Sequence, residues 1–220
     1  GYGYPGVEHP YADQPHPTED GLFVMDLDTG EETLVASFDD AFRVAPLPEE
    51  LAEQKMWFNL VVWSRDDGHV AFLSRYYMPT GNWRTALFTV GVDRGDLRCV
   101  IPYAWGCSHF DWADGERIAC TTRLHAKTGG HVLFTNGKED HRLLAPDVLF
   151  RDGHCHFSAD ARWMVTDSYP VGAGRMQHLY VMDMQSDEVT LLGRFHEPAT
   201  FRHDWRCDLH PRWSRDGKRI

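Results

Sequence analysis

The chain has 220 residues, 42% of them apolar and 13% aromatic, which is enough to bury a sizeable core. Its formal net charge of -11 excludes general binding to nucleic acid or anionic membranes, because phosphate surfaces are held by clustered Lys and Arg. No apolar run approaches the roughly 18 residues of a membrane span, and five scattered cysteines with no CxxC pair read as reduced thiols of a cytoplasmic protein.

In chain order, residues 1–20 are rich in Pro, Gly and Tyr and read as an irregular arm. The chain begins with Gly rather than Met, so an upstream segment is expected and the missing signal peptide carries little weight. Residues 21–35 read as two strands joined by the hairpin turn Asp28-Thr-Gly30. Residues 48–54 carry the one predicted helix, with Pro48 and two acids at its start. A repeat then begins. Trp63-Ser-Arg-Asp-Asp-Gly-His-Val-Ala-Phe72 is a turn followed by an apolar strand, and further strands are predicted at 85–90 and 97–101. Trp112-Ala-Asp-Gly-Glu-Arg-Ile-Ala-Cys120 repeats the motif one residue shorter, with a strand at 131–135. Phe157-Ser-Ala-Asp-Ala-Arg-Trp-Met-Val-Thr166 repeats it again, with strands at 178–183 and 189–192. Trp213-Ser-Arg-Asp-Gly-Lys-Arg-Ile220 opens a fourth copy. The aromatic anchors are 49, 45 and 56 residues apart, a period that fits four short strands and their turns.

This pattern predicts an all-β fold, a partial β-propeller of four-stranded antiparallel blades. Residues 1–220 form one incomplete domain. Residues 1–45 are the arm and half a blade, 46–105, 106–150 and 151–205 are blades, and 206–220 start the next. Because blades cover one another face to face, such a piece alone is expected to expose sheet faces and to aggregate.

Three histidines hold the same phase in this repeat, three residues before an aromatic: His109, His154 and His210. A blade's first strand lies nearest the propeller axis, so side chains at its start reach the channel mouth. The aromatic, of opposite parity, turns into the inter-blade core. His156 follows His154 by two residues and shares its predicted face. His109, His154, His156 and His210 are therefore candidate ligands of a divalent metal, and imidazole alone favours zinc, copper or nickel over manganese. Arg151, Arg202, Arg206 and Arg212 cluster around these motifs and suggest a small anionic ligand, most simply a carboxylate. The competing account is that they pair with Asp152, Asp204 and Asp208. In the second unit, Asn59-Leu60 stands where the histidine would be, which makes Asn59 a further candidate ligand contact. Asp167-Ser-Tyr169 ends a strand at the rim and reads first as an ordinary strand end. The other histidines, among them His125 and His131, share no phase and read as structural or exposed.

The Trp-Ser-Arg-Asp-Gly-Lys motif, with strands ending in Val-Met-Asp, resembles TolB-like propeller repeats. His154-Cys-His-Phe-Ser158 with Val165-Thr-Asp-Ser-Tyr-Pro170, and Arg206-Cys-Asp-Leu-His-Pro-Arg-Trp-Ser-Arg-Asp-Gly217, resemble oligogalacturonate lyase-type propellers. The resemblance implies a seven-bladed parent. It also implies a metal, manganese in that family, held by histidines and a glutamine near the axis, and β-elimination of acidic oligosaccharides. It matches His154 and His156 to a His-x-His ligand pair and His109 to a ligand from the preceding blade. Where that family has its glutamine this chain has Arg151, and where a basic histidine would stand it has Asn59-Leu60. His156 or His210 would then act as the base. Two readings follow: a metal-dependent carbon–oxygen lyase acting on uronate chains, or a non-catalytic TolB-like propeller that binds a protein or carbohydrate.

Overall fold

The computed structural model describes residues 6, 8–124 and 128–220, without the side chains of Thr128 and Asp204. His125 and most of the first seven residues lie outside the described residues. The chain forms a short two-stranded sheet and three four-stranded antiparallel sheets, each a simple meander. The first sheet pairs β1 (Gly21–Met25) with β2 (Glu32–Ser37). The second runs through β3 (Met56–Trp63), β4 (His69–Tyr77), β5 (Trp83–Gly91) and β6 (Arg98–Ile101). The third holds β7 (Cys107–Trp112), β8 (Arg117–Leu124), β9 (Thr128–Thr135) and β10 (His141–Leu143), and the fourth β11 (His156–Phe157), β12 (Trp163–Asp167), β13 (Met176–Asp183) and β14 (Val189–His196). Among the described residues no sheet closes on itself, and no helix is long and apolar enough to cross a membrane.

The repeated motif is a Ser-x-Asp turn. Ser64 N–H donates to the His69 carbonyl at 2.8 Å, Ser64 Oγ–H to Asp66 at 2.7 Å, and His69 N–H back to Ser64 Oγ at 2.9 Å. Ser158 makes the same three bonds with Trp163 and Asp160, and Ser214 with Arg219 and Asp216. The fourth copy thus forms its turn, but no strand is assigned after it. The shorter copy keeps only the backbone bond from Ala113 to Arg117, at 2.8 Å.

Sheets pack face to face through three cores. One lies between the two-stranded sheet and the β3–β6 sheet, the next between that sheet and β7–β10, and the third between β7–β10 and β11–β14. The anchors Trp112 and Phe157 are fully buried there, and Trp112 Nε1 also donates to the Val62 carbonyl of the preceding sheet at 3.1 Å. Trp63 is 45% exposed, because the sheet on its side has only two strands.

The predicted helix is corrected. Residues 49–51 make a single 3-10 turn, and the α-helix is α1 (Phe38–Val44). Ser37 caps it: its Oγ accepts from Asp40 N–H at 3.0 Å, and the Asp40 carboxylate accepts from Ser37 N–H at 3.0 Å, a reciprocal capping box. Ala41 is buried, and the Phe42 ring stacks on His16 from the arm at 4.1 Å.

Candidate metal centre

The segments that carry His109, His154 and His210 meet at one rim, where the three rings pack together, and two local devices shape it. In β7 the pairing register shifts between Cys107 and Phe110, a bulge that holds Ser108 and His109 out of the ladder. β3 has a matching bulge at Asn59 to Val62, with Leu60 at φ 52°. The second device is Gly153. A Cβ there would sit 1.9 Å from the Asp167 carbonyl oxygen, so only glycine lets this connection lie against the end of β12.

That approach delivers His154 to Asp167. His154 N–H donates to Asp167 Oδ1 at 2.6 Å, and its Nδ1 lies 2.9 Å from both carboxylate oxygens. His210 N–H donates to Oδ2 at 3.0 Å, from a backbone at φ 47°. One buried carboxylate therefore clamps two entering connections. Burial works to raise the Asp167 pKa, but the hydrogen bonds from His154 and His210 outweigh it and hold the group below the usual carboxylate range. With Nδ1 bound, His154 keeps Nε2 as its free nitrogen, as in a carboxylate–histidine–metal arrangement. Its ring stacks on His210, centroids 3.6 Å apart. Ligand atoms of His154, His210 and Asp208 all lie within 4.8 Å of one another. Burial first, and then the charge of His154, lower the His210 pKa, which favours the neutral imidazole a metal needs.

The predicted histidines do not all join this group. The His109 ring packs on His154 at 3.9 Å, yet both its nitrogens have partners. Nδ1 lies 3.2 Å from Asp152 and 3.0 Å from Ser108 Oγ, and Nε2 lies 3.3 Å from the Tyr169 hydroxyl. His156 sits elsewhere. Strand β11 starts only at His156, so the two-residue alternation does not extend back to His154. The His156 Nδ1 accepts the Trp213 N–H at 3.2 Å, and burial, aided by Arg212 and Arg65, lowers its pKa to about 4.

The arginines divide as well. Arg206 grips Asp208 with Nε and Nη2 at 2.6 and 2.8 Å and lies 4.0 Å over the Tyr169 ring. This fulfils the counter-ion account for that residue while keeping it beside the centre. Arg212 is exposed and lies near His156 and Asp111. Arg202 donates to the Ala199 carbonyl at 2.6 Å. Arg151 is exposed, 4.9 Å over the Phe150 ring. Asn59 Oδ1 is buried with no hydrogen-bond partner among the described residues, and Asn59 lines neither cleft described next.

Two clefts flank the centre and share Tyr169 and Pro170. The larger, about 640 Å³, runs past Asp152, Arg151, Phe150, Arg123 and Trp105 to Trp83 and Arg84. The smaller, about 440 Å³, is lined by Arg175, Arg202, His203 and Arg206. Burial pushes the Tyr169 phenol pKa up, so it remains a proton donor. By sequence, Asp208 and Asp152 read only as counter-ions, and Asp167 and Tyr169 as a strand end. The signal that would have found Asp208 is its place two residues before a phased histidine.

No family model and no curated protein sequence matches the chain. Solved structures do resemble it. An oligogalacturonate lyase in complex with manganese is 16% identical, with a TM-score of 0.56 over 89% of this chain and 50% of that one. The oligogalacturonate lyase of Vibrio parahaemolyticus is 14% identical over 89% of this chain and 66% of its own, with a TM-score of 0.43. A TolB protein from Agrobacterium tumefaciens is 15% identical over 61% and 48%, with a TM-score of 0.47. The chain thus spans less than two thirds of each. At such identities the likeness is one of fold alone: an all-β stack of four-stranded antiparallel sheets, shared with the manganese-bound lyase.

Proposed function

We propose that the rim holds a divalent transition metal on His154, His210 and Asp208 and acts on a carboxylate-bearing sugar chain by β-elimination. The observation that carries this reading is Asp167, a buried carboxylate that fixes the His154 ring and the His210 backbone at once. Structural histidines need no such shared clamp. The donor set of two imidazoles and one carboxylate fits zinc, iron or manganese, and Asp208 moves it away from the purely nitrogen set. A bound cation of this kind supplies Lewis acidity that acidifies the C–H next to a coordinated carboxylate.

The remaining work falls to the chain itself. His109, pinned by Asp152, faces the Tyr169 hydroxyl and packs against the His154 ring, so its Nε2 and that hydroxyl are the pair best placed to take up and deliver a proton. This replaces His156, whose Nδ1 is held by the Trp213 peptide. Arg151 and the free face of Arg206 orient carboxylates. A second reading, a non-catalytic binding propeller, is favoured by one fact: Arg206 already engages both Asp208 oxygens.

The test is metal content after loading with manganese or zinc, in the wild type, His154→Ala and Asp208→Asn. The expected result is a bound ion lost in both variants. A wild type that retains none rejects the metal centre. Incubation of loaded protein with oligogalacturonate should then give an unsaturated, ultraviolet-absorbing product. Metal binding without product leaves the binding reading.

A further inference from the structure

We infer that copies of this chain associate head to tail, the acidic β1–β2 end of one copy seating on the outer face of the β11–β14 sheet of the next. The contact uses residues outside the metal centre and goes beyond the proposed function.

The three cores join the sheets in series, so β1–β2 and β11–β14 are the end sheets of the stack. Both carry apolar side chains on the side away from it. In β1, Val24 packs into the first core, and Phe23 and Met25, of opposite parity, point outward and are exposed. In β13, Tyr180 packs into the third core, so Leu179 and Val181 point the other way, and Phe195 of β14 lies opposite Gln177 on their side. Phe195 is exposed, as are Phe201 and Trp205 in the segment that follows, the last of them 81%. Exposed apolar side chains gathered at both ends mark contact surfaces.

Charge decides which surface covers which. Residues 1–60 hold 13 acids and two cations, while residues 61–220 hold 20 of each, so the whole net charge of -11 belongs to the part of the chain that builds the β1–β2 end. The hairpin itself carries Asp26, Asp28, Glu31 and Glu32 with no Lys or Arg. At the other end, Gln177 Nε2 donates to the Cys207 carbonyl at 2.9 Å and His156 accepts the Trp213 N–H, so the last segment crosses part of the outer face. It brings Arg212, Arg215, Lys218 and Arg219 there against Asp216 alone. Among the described residues, Asp28, Glu31, Glu32, Arg215 and Lys218 have no oppositely charged partner within ion-pair distance. An acidic apolar end and a basic apolar end on one chain complement each other, and neither complements itself. Strand count agrees: β1–β2 has two strands where the other sheets have four, and Trp213–Ile220 supplies the Ser-x-Asp turn that opens such a sheet. The contact is heterologous, so it extends into rows or rings of copies rather than stopping at a symmetric pair.

The experiment is sedimentation velocity of the full chain across a range of concentration and salt. Species larger than a dimer should appear as concentration rises and dissociate as salt screens the ends. Phe23→Asp and Phe195→Asp, one at each end, should each be monomeric alone and form a heterodimer, and nothing larger, when mixed. Glu31→Lys with Glu32→Lys in one chain should weaken self-association about 10-fold or more. An equal mixture with a chain carrying Arg215→Glu and Lys218→Glu should restore it. These four side chains are exposed, so the charge variants should keep the wild-type melting temperature, and they decide the matter even where a Phe variant loses its fold. A wild type that is monomeric at every concentration, a variant blocked at one end that still dimerises alone, or a mixture of charge variants that stays apart overturns the contact. Growth that neither salt nor the charge variants change overturns the pairing of acidic with basic end.

Discussion

Asp167 is the residue on which the candidate centre turns. Replacing it with Asn removes one acceptor oxygen and puts an amide donor opposite either the His154 or the His210 peptide, which bond different oxygens of the carboxylate. Metal affinity should fall about 10–100-fold, as outer partners of ligating histidines do when lost. Titration calorimetry checks this, with unchanged circular dichroism as the fold control. Gly153→Ala should have a related effect by another cause. Its Cβ would meet the Asp167 carbonyl at 1.9 Å, so the connection must move away and carry His154 with it. A cost of about 1–3 kcal/mol in denaturant unfolding, together with weaker metal binding, is expected. His156→Ala should leave metal content at the wild-type level, since its Nδ1 serves the Trp213 peptide. At this scale the repeat exposed His109, His154 and His210, because phase in a repeat is visible in one dimension. Asp167 reads in one dimension only as a strand end at the rim, because its partners lie 13 and 43 residues away.

Elements follow local chemistry where it is undivided. The strand pairs of each meander were legible from β-branched runs between Gly, Asp and Asn turns, and the Ser-x-Asp bonds show why the motif recurs. The helix was misplaced because two start signals competed. Pro48 with Glu49 and Glu50 favours initiation, but β3 must begin at Met56 and leaves room for one turn. Ser37-x-x-Asp40 is the cap that the fold uses, with the Phe42 ring packed on His16. Ser37→Ala should cost about 1 kcal/mol in thermal or denaturant unfolding. The Ser37 hydroxyl holds the Asp40 pKa below its ordinary value. That stabilisation is complete above the unfolded carboxylate pKa of about 4 and is lost as pH falls through the lower folded value. The stability gap between wild type and Asp40→Asn should therefore be widest near neutrality and shrink in acid.

Across the whole molecule, stability comes from sheet faces joined in series. Arg65 donates to Asp111 at 3.1 Å and to the Phe157 carbonyl at 3.1 Å, while Phe157 N–H bonds Asp111, so one ion pair links three sheets. Trp112 fills the core between two of them, and Trp112→Ala should cost about 3–5 kcal/mol, measured by denaturant unfolding. The outer face is different. On the edge strand β14, Leu191, Leu192 and Phe195 are 39–47% exposed. Leu192→Ser should raise the monomer fraction in size-exclusion chromatography if that face drives association. The sequence by itself determined the all-β class, the blade period and the aromatic anchors, because alternation and turn chemistry are encoded locally. Only the tertiary structure decided which side chains share the rim. A bulge at His109, a glycine that lets two chains touch at Gly153, and a carboxylate reached from distant connections are properties of packed sheets, not of any one stretch of chain.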